Sequence, residues 1–224
     1  MRYYIADCHF WHEKLLTQMD HRPFESVEQM NEVMIEKWNR KVRKNDDVVI
    51  LGDFSWGNGE QTNEILERLN GRKYLIVGNH DLYLKDRKFQ PDHFVWIREY
   101  AELRDNRRKV VLSHYPMVCY NGQYRKDEQG EPKSWMLYGH VHDTQDQRFL
   151  ESYERFISVQ THRSLGDGSR QPVPLNMINC FCMYSDYTPL SLDEWISLDA
   201  QIKEKGQPVL PEWNEEQETA ESCE

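Results

Sequence analysis

No stretch of this chain approaches the ~20 consecutive apolar residues of a membrane span. Nor is there the broad basic excess that grips a nucleic-acid backbone: the formal charge is −10. Six acids fall in the last thirteen residues, EWNEEQETAESCE, which hold no base, so the remainder carries −4. Such a run is expected to be a solvated, mobile tail. Cysteine is sparse, with five in all and no paired spacing beyond Cys180 and Cys182. Those two lack a second pair of ligands nearby, which excludes a zinc ribbon and leaves two core thiols on neighbouring strand positions. RYYIA at residue 2 leaves no room for a basic and apolar leader. The expected setting is reducing and cytoplasmic. Internal repeats and Pro- or Ser-rich linkers are also missing. The 224 residues therefore read as one domain over 1–200, large enough for a sizeable core, and an acidic tail over 201–224.

What is present is one pattern five times over. RYYIAD ends on Asp7, with His9 two residues on; VVILGD ends on Asp53; KYLIVGNHD ends on Asn79, His80 and Asp81; KVVLSH ends on His114; WMLYGHVH ends on His140 and His142. Each begins as a short, nearly continuous apolar run, the pattern of a strand buried on both faces. Each stops on a side chain able to bind metal or move a proton. Residues two apart on an extended chain face the same side, so Asp7 and His9 are expected to address one space. Gly52, Gly78 and Gly139 precede polar endings, where the backbone must turn sharply or approach a ligand. Helices are predicted over 26–43, with Ser26 as N-cap, and over 60–69, closed by Asn70-Gly71. A short helix opening at Ser191 is expected after the turn in YTPLSLDEW. Strands alternating with helices predict an α/β sandwich with its site at the strand carboxyl ends.

The order D-x-H (Asp7, His9), G-D (Gly52, Asp53), G-N-H-D (Gly78 to Asp81), His114 and G-H-x-H (Gly139 to His142) resembles the calcineurin-like metallophosphoesterases. The small bacterial and phage-type members are the nearer likeness, through HFWHEK, RPF at 22–24, EKWN at 36–39 and LGDFSWG. The match spans residues 1–142, with a weaker echo in PLSLDEW. The resemblance implies a β-sandwich flanked by helices and a binuclear metal centre. Asp7, His9 and His142 would bind one metal, Asn79, His114 and His140 the other, and Asp53 would bridge. His80 would stand beside the site as the acid or transition-state stabiliser.

Imidazole and carboxylate donors without thiolate suit Mn, Fe, Zn, Ni or Co, with manganese favoured. Two divalent ions against Asp7, Asp53 and a bridging hydroxide leave a net charge of about +1, enough to attract a phosphate monoanion. Asn79 matters here, because an aspartate would cancel that charge. Two metals sharing a water would generate the hydroxide nucleophile and clamp the phosphoryl oxygens, while His80 assists the leaving oxygen. The expected partner is thus a phosphate-ester small molecule, a nucleotide among the candidates; the resemblance, not the residues, puts a diester before a monoester.

Phosphomonoesterases, protein phosphatases included, and nucleases are the alternatives within this chemistry. GDFSWGN departs from the G-D-x-V-D-R-G of the serine/threonine phosphatases, and an extended nucleic-acid track is lacking. The non-enzymatic alternative is a binding scaffold on the same fold. Around the motifs, His12 and Arg125 are candidate substrate contacts, with Lys126 beside the latter. Trp11, Trp56 and Tyr115 could stack on a leaving group. Asp81 reads as a cap or positioning group, and Cys8 as inert packing. About thirty residues, 143–173, separate His142 from the next apolar run and are expected to form a long insertion, a lid or a subunit contact. The family's usual glycine is missing from LNMINC, which would alter one wall of the site.

Overall fold

The computed structural model describes residues 1–164, 166 and 168–204. Its strands are β1 (Arg2–Ile5), β2 (Asp47–Ile50), β3 (Arg72–Ile76), β4 (Phe94–Arg98), β5 (Tyr100–Asp105), β6 (Arg108–Ser113), β7 (Ser134–Tyr138), β8 (Thr161–Arg163), β9 (Arg170–Pro172) and β10 (Met177–Asn179). Its helices are α1 (Val27–Lys41), α2 (Gly59–Arg68), α3 (Gln145–Ser158) and α4 (Leu192–Glu204), with short 3-10 turns between some of them. One sheet runs β1-β2-β3-β4 and is parallel throughout. The other runs β10-β7-β6-β5, antiparallel only at β5.

Alternation along each strand sorts side chains between layers. Tyr3, Ile5, Val48 and Ile50 face Met30, Met34 and Trp38 of α1 and Ile65 and Leu66 of α2. Their neighbours Tyr4, Ala6, Val49 and Leu51 turn inward to meet Val110, Leu112, Leu137 and Ile178 of the second sheet. Val111, Met136 and Met177 on that sheet's outer face pack with Leu150 of α3. Both sheets are thus covered on both faces, as their near-continuous apolar runs require. Helix starts follow local chemistry: Ser26 accepts from the Gln29 N–H, and Asn58 and Gln61 form a reciprocal capping box at α2.

Within the 143–173 segment lie α3 and the β8–β9 hairpin. Gln147 anchors α3 by accepting from the Asn179 amide and the Tyr138 hydroxyl. The helix at Ser191 is longer than a single turn and continues to Glu204, so residues 201–204 belong to it and not to a tail. Residues 205–224, where the rest of the expected tail falls, lie outside the described residues. Finally, Asp7 and His9 do not sit on extended chain. Both are left-handed, at φ 54° and 50°, and converge through a kinked backbone. That backbone stays paired with the next motif, since His9 N–H donates to Asp53 O and Phe10 N–H to Phe54 O. No helix among the described residues is long and apolar enough to cross a membrane.

Candidate metal centre

The carboxyl ends of β1, β2, β3, β6 and β7 open onto one space. There Asp7, His9 and His142 bring ligand atoms within 4.8 Å of one another, and Asp53, His114 and His140 do the same. Asp53 Oδ2 lies 3.6 Å from His9 Nε2 and 3.5 Å from His114 Nε2, so one carboxylate oxygen addresses both groups. Asn79 Oδ1 stands 3.0 Å from His114 Nε2. Four of the six clustered residues are buried at 2% exposure or less, which is where an unpaired charge or lone pair is most costly.

The donor chemistry fits cations. His114 Nδ1–H donates to the Leu51 carbonyl at 2.8 Å, which leaves its Nε2 lone pair facing the Asp53 and Asn79 oxygens. Three acceptors converging where Asp53 and His114 are buried repel unless a cation or a proton lies among them. Burial opposes charge on His114, yet the Asp53 hydrogen bond and the charges of Asp7 and Asp53 raise it to about 9. In the other group His9 Nε2 and His142 Nε2 stand 3.1 Å apart, and the buried His9 Nδ1 has no partner among the described residues. Burial, then the neighbouring His142, holds the His9 imidazole well below its ordinary range, which favours the neutral form that a metal ligand requires.

Supporting contacts set these side chains. His140 N–H donates to both oxygens of Asp7 at 3.0 and 3.1 Å. His80 N–H donates to Asp53 Oδ1 at 2.8 Å. Asp81 makes no side-chain cap bond. Its buried carboxylate accepts from Gly78 N–H, Asp53 N–H and Phe54 N–H, tying the G-D turn to the G-N-H-D turn. Two glycines are required by close approach: a Cβ on Gly78 would overlap Asp53 Oδ1, and one on Gly139 would come 2.5 Å from Asp7 Oδ2. On the strand read as lacking the family's glycine, Asn179 donates to the His142 carbonyl at 2.8 Å and accepts from Phe181 N–H.

Sequence reasoning missed Asp20 and did not give Arg22 a role. His142 Nδ1–H donates to Asp20 Oδ1 at 2.7 Å, fixing the ring so that Nε2 faces the site. Arg22, 1% exposed, holds Asp20 at 2.9 Å and donates to the Asp7 and Cys8 carbonyls at 2.9 and 2.6 Å. The RPF stretch was the visible signal, but no local pattern links Asp20 to a histidine 122 positions away. Asp20→Asn is expected to lower metal affinity at the Asp7/His9/His142 group by about 10–100-fold, read by competition with a chelator. An unchanged affinity would remove Asp20 from the site.

The flanking residues divide. His80 is half-buried, its ring centroid 5.6 Å from His9 and 4.7 Å from Trp56. Trp56 and Tyr115 are both exposed; the first stacks on His12 at 4.1 Å, the second lies 4.5 Å from His140. Trp11 instead packs against the core. Cys8 is fully buried, and burial pushes its thiol well above the ordinary range, as inert packing requires. Arg125 and Lys126 are not gathered here. They line a cavity with Lys109 and Ser134, at the amino ends of β6 and β7, whereas His114 and His140 follow the carboxyl ends.

A pair of packed sheets with carboxylate, imidazole and amide donors at five strand ends defines a metallophosphoesterase-type fold. The chain belongs to the calcineurin-like phosphoesterase family, whose pattern matches residues 3–205. An uncharacterized protein of Methanocaldococcus jannaschii is 32% identical over 209 residues, 92% of this chain and 93% of that protein. The gene 66 protein of Mycobacterium phage L5 is 33% identical over 82 residues, 35% of this chain and 39% of that protein. A solved protein of unknown function from Aquifex aeolicus shares the fold with a TM-score of 0.59 at 24% identity, over 88% of this chain and 98% of its own.

Proposed function

We propose that the protein hydrolyses phosphate esters with two divalent metals, manganese favoured, and prefers diesters. The observation that carries this is the Asp53 carboxylate facing two ligand groups at once. Asp7, His9 and His142 would hold one ion and Asn79, His114 and His140 the other, with Asp53 shared. Bound there, the metals supply Lewis acidity toward phosphoryl oxygens and lower the pKa of water to give a nucleophile. His80, held by its N–H on Asp53, donates a hydrogen bond or proton toward the leaving oxygen. Two exposed aromatics, Trp56 and Tyr115, flank the centre on different sides. They offer a stacking surface for each substituent of a diester, a nucleotide included, and His12 backs the Trp56 ring. Buried thiols at Cys8, Cys180 and Cys182, free of disulfides, suit a reducing, cytoplasmic setting.

The test is turnover of bis-p-nitrophenyl phosphate and p-nitrophenyl phosphate by metal-stripped protein titrated with Mn²⁺, Ni²⁺ or Zn²⁺. Metal-dependent diester turnover is expected, with His80→Ala lowering kcat by about 10²-fold or more at unchanged metal content. Faster monoester turnover would reassign the protein as a phosphatase. No turnover, with fewer than two metals bound, would make it a binding scaffold.

A further inference from the structure

The amino ends of β6 and β7 carry a second concentration of charge, of the opposite sign to the protein as a whole. In the β5–β6 register Arg104 stands directly across from Lys109. Like charges in that position destabilise a strand pair, so a reason for both is needed. Lys109 has Glu102 at 2.6 Å, but Arg104 has no carboxylate partner among the described residues. Past the turn, Arg107 is left-handed at φ 64° and exposed, beside Arg108, which reaches the exposed Asp193. The loop that leads into β7 adds Arg125, Lys126 and Lys133, again without a carboxylate partner among the described residues. The acids nearest them in sequence do not answer: Asp127 Oδ1 accepts from the N–H groups of Gln129 and Glu131 instead.

These cations surround a cavity of about 380 Å³ that Ser134 also lines. Ser134 is fully buried, and its hydroxyl has no hydrogen-bond partner among the described residues. Buried hydroxyls are normally satisfied, so this one calls for a ligand or a water. Gly122, at φ 83°, lets the loop close over it: a Cβ there would lie 2.6 Å from Ser134 Oγ and 3.5 Å from Arg125 Cδ and Lys109 Cδ.

We propose that this cavity is a binding site for a compact polyphosphate, two or three linked phosphoryl groups, free or as the tail of a nucleotide. Setting aside Arg108 and Lys109, which have carboxylate partners, five cations face the cavity unneutralised. A single phosphate group carries at most about two negative charges near neutral pH, too few to match them. A nucleic-acid strand fits poorly, because the cations converge on one concavity, no aromatic platform lines it, and the chain carries −10. The site is separate from the metal centre. Lys109 and Ser134 are register partners at one end of their strands, and His114 lies five residues beyond Lys109, roughly 16 Å at strand rise.

The experiment is calorimetric titration of the full-length, metal-stripped protein with inorganic tripolyphosphate, ATP and orthophosphate. One tripolyphosphate is expected per chain, bound more weakly as salt rises from about 50 to 200 mM, with orthophosphate weaker throughout. Arg104→Ala combined with Arg125→Ala, both exposed positions, is expected to weaken tripolyphosphate by tenfold or more with the thermal melt unchanged, whereas Asp53→Asn leaves its affinity unchanged. ATP binding as tightly as tripolyphosphate identifies the nucleotide tail as ligand; weaker ATP identifies free polyphosphate. Equal affinity in wild type and the double variant, or no saturable binding at the lower salt, overturns the site. Tight binding of a roughly 20-nucleotide single strand without tripolyphosphate binding also overturns it, in favour of a nucleic-acid surface.

Discussion

Replacing Asp53 with asparagine is expected to leave fewer than two metals per chain and to lower diester turnover by on the order of 10²–10³-fold. The amide would keep the acceptor for His80 N–H on its oxygen, which turns its NH₂ toward His9 Nε2 and His114 Nε2. A donor then stands where both ligand groups need a shared anion, and one of the two negative charges in the ligand set is gone. Backbone strain does not confuse the result. Asp53 lies at φ 51°, a region asparagine occupies at least as readily as aspartate. Metal content by elemental analysis and turnover under saturating metal are the two readouts. Two tightly held ions with wild-type turnover would dismiss Asp53 as the shared ligand.

Gly78→Ala is the second large effect, and it touches no ligand atom by substitution. The added methyl would overlap the Asp53 carboxylate and backbone N. Relief requires the G-D and G-N-H-D turns to part, yet Asp81 ties Gly78 N–H to Asp53 N–H through one oxygen. Loss of at least about 100-fold in metal affinity and a stability loss of about 1–3 kcal/mol are expected. Denaturant unfolding with and without metal separates the two. An alanine variant that keeps both its metals and its stability would show that the turns are looser than their contacts indicate.

How far the chain disclosed itself beforehand depended on the range of each interaction. The five strands that end on polar side chains are legible because burial on both faces forces a dense apolar run, visible within six residues. The cap at Ser26 is equally local. The strands β4 and β5 are not: their patterns are only partly buried, and charged residues interrupt the apolar ones. α3 was legible and overlooked: Phe149, Leu150, Tyr153, Phe156 and Ile157 recur at helical spacing, although only Gln147 of its residues is buried. Asp20 and Arg22 act on groups brought near by the tertiary fold alone. Arg125 reads from sequence as a substrate contact because a charged loop gives no sign of which end of a strand it folds back to. The local extended geometry assumed for Asp7 and His9 was replaced by two left-handed residues that achieve the same convergence.

Five of the seven candidate ligands, Asp7, His9, Asp53, His140 and His142, occupy that left-handed region. For a residue with a side chain each such conformation costs about 1–2 kcal/mol, and glycine at the same point would relax it. Glycine at any of the five would thus relax the main chain, but at Asp7 or Asp53 it would also strip a backbone N–H of its acceptor, so the same side chains that strain the turns also hold them.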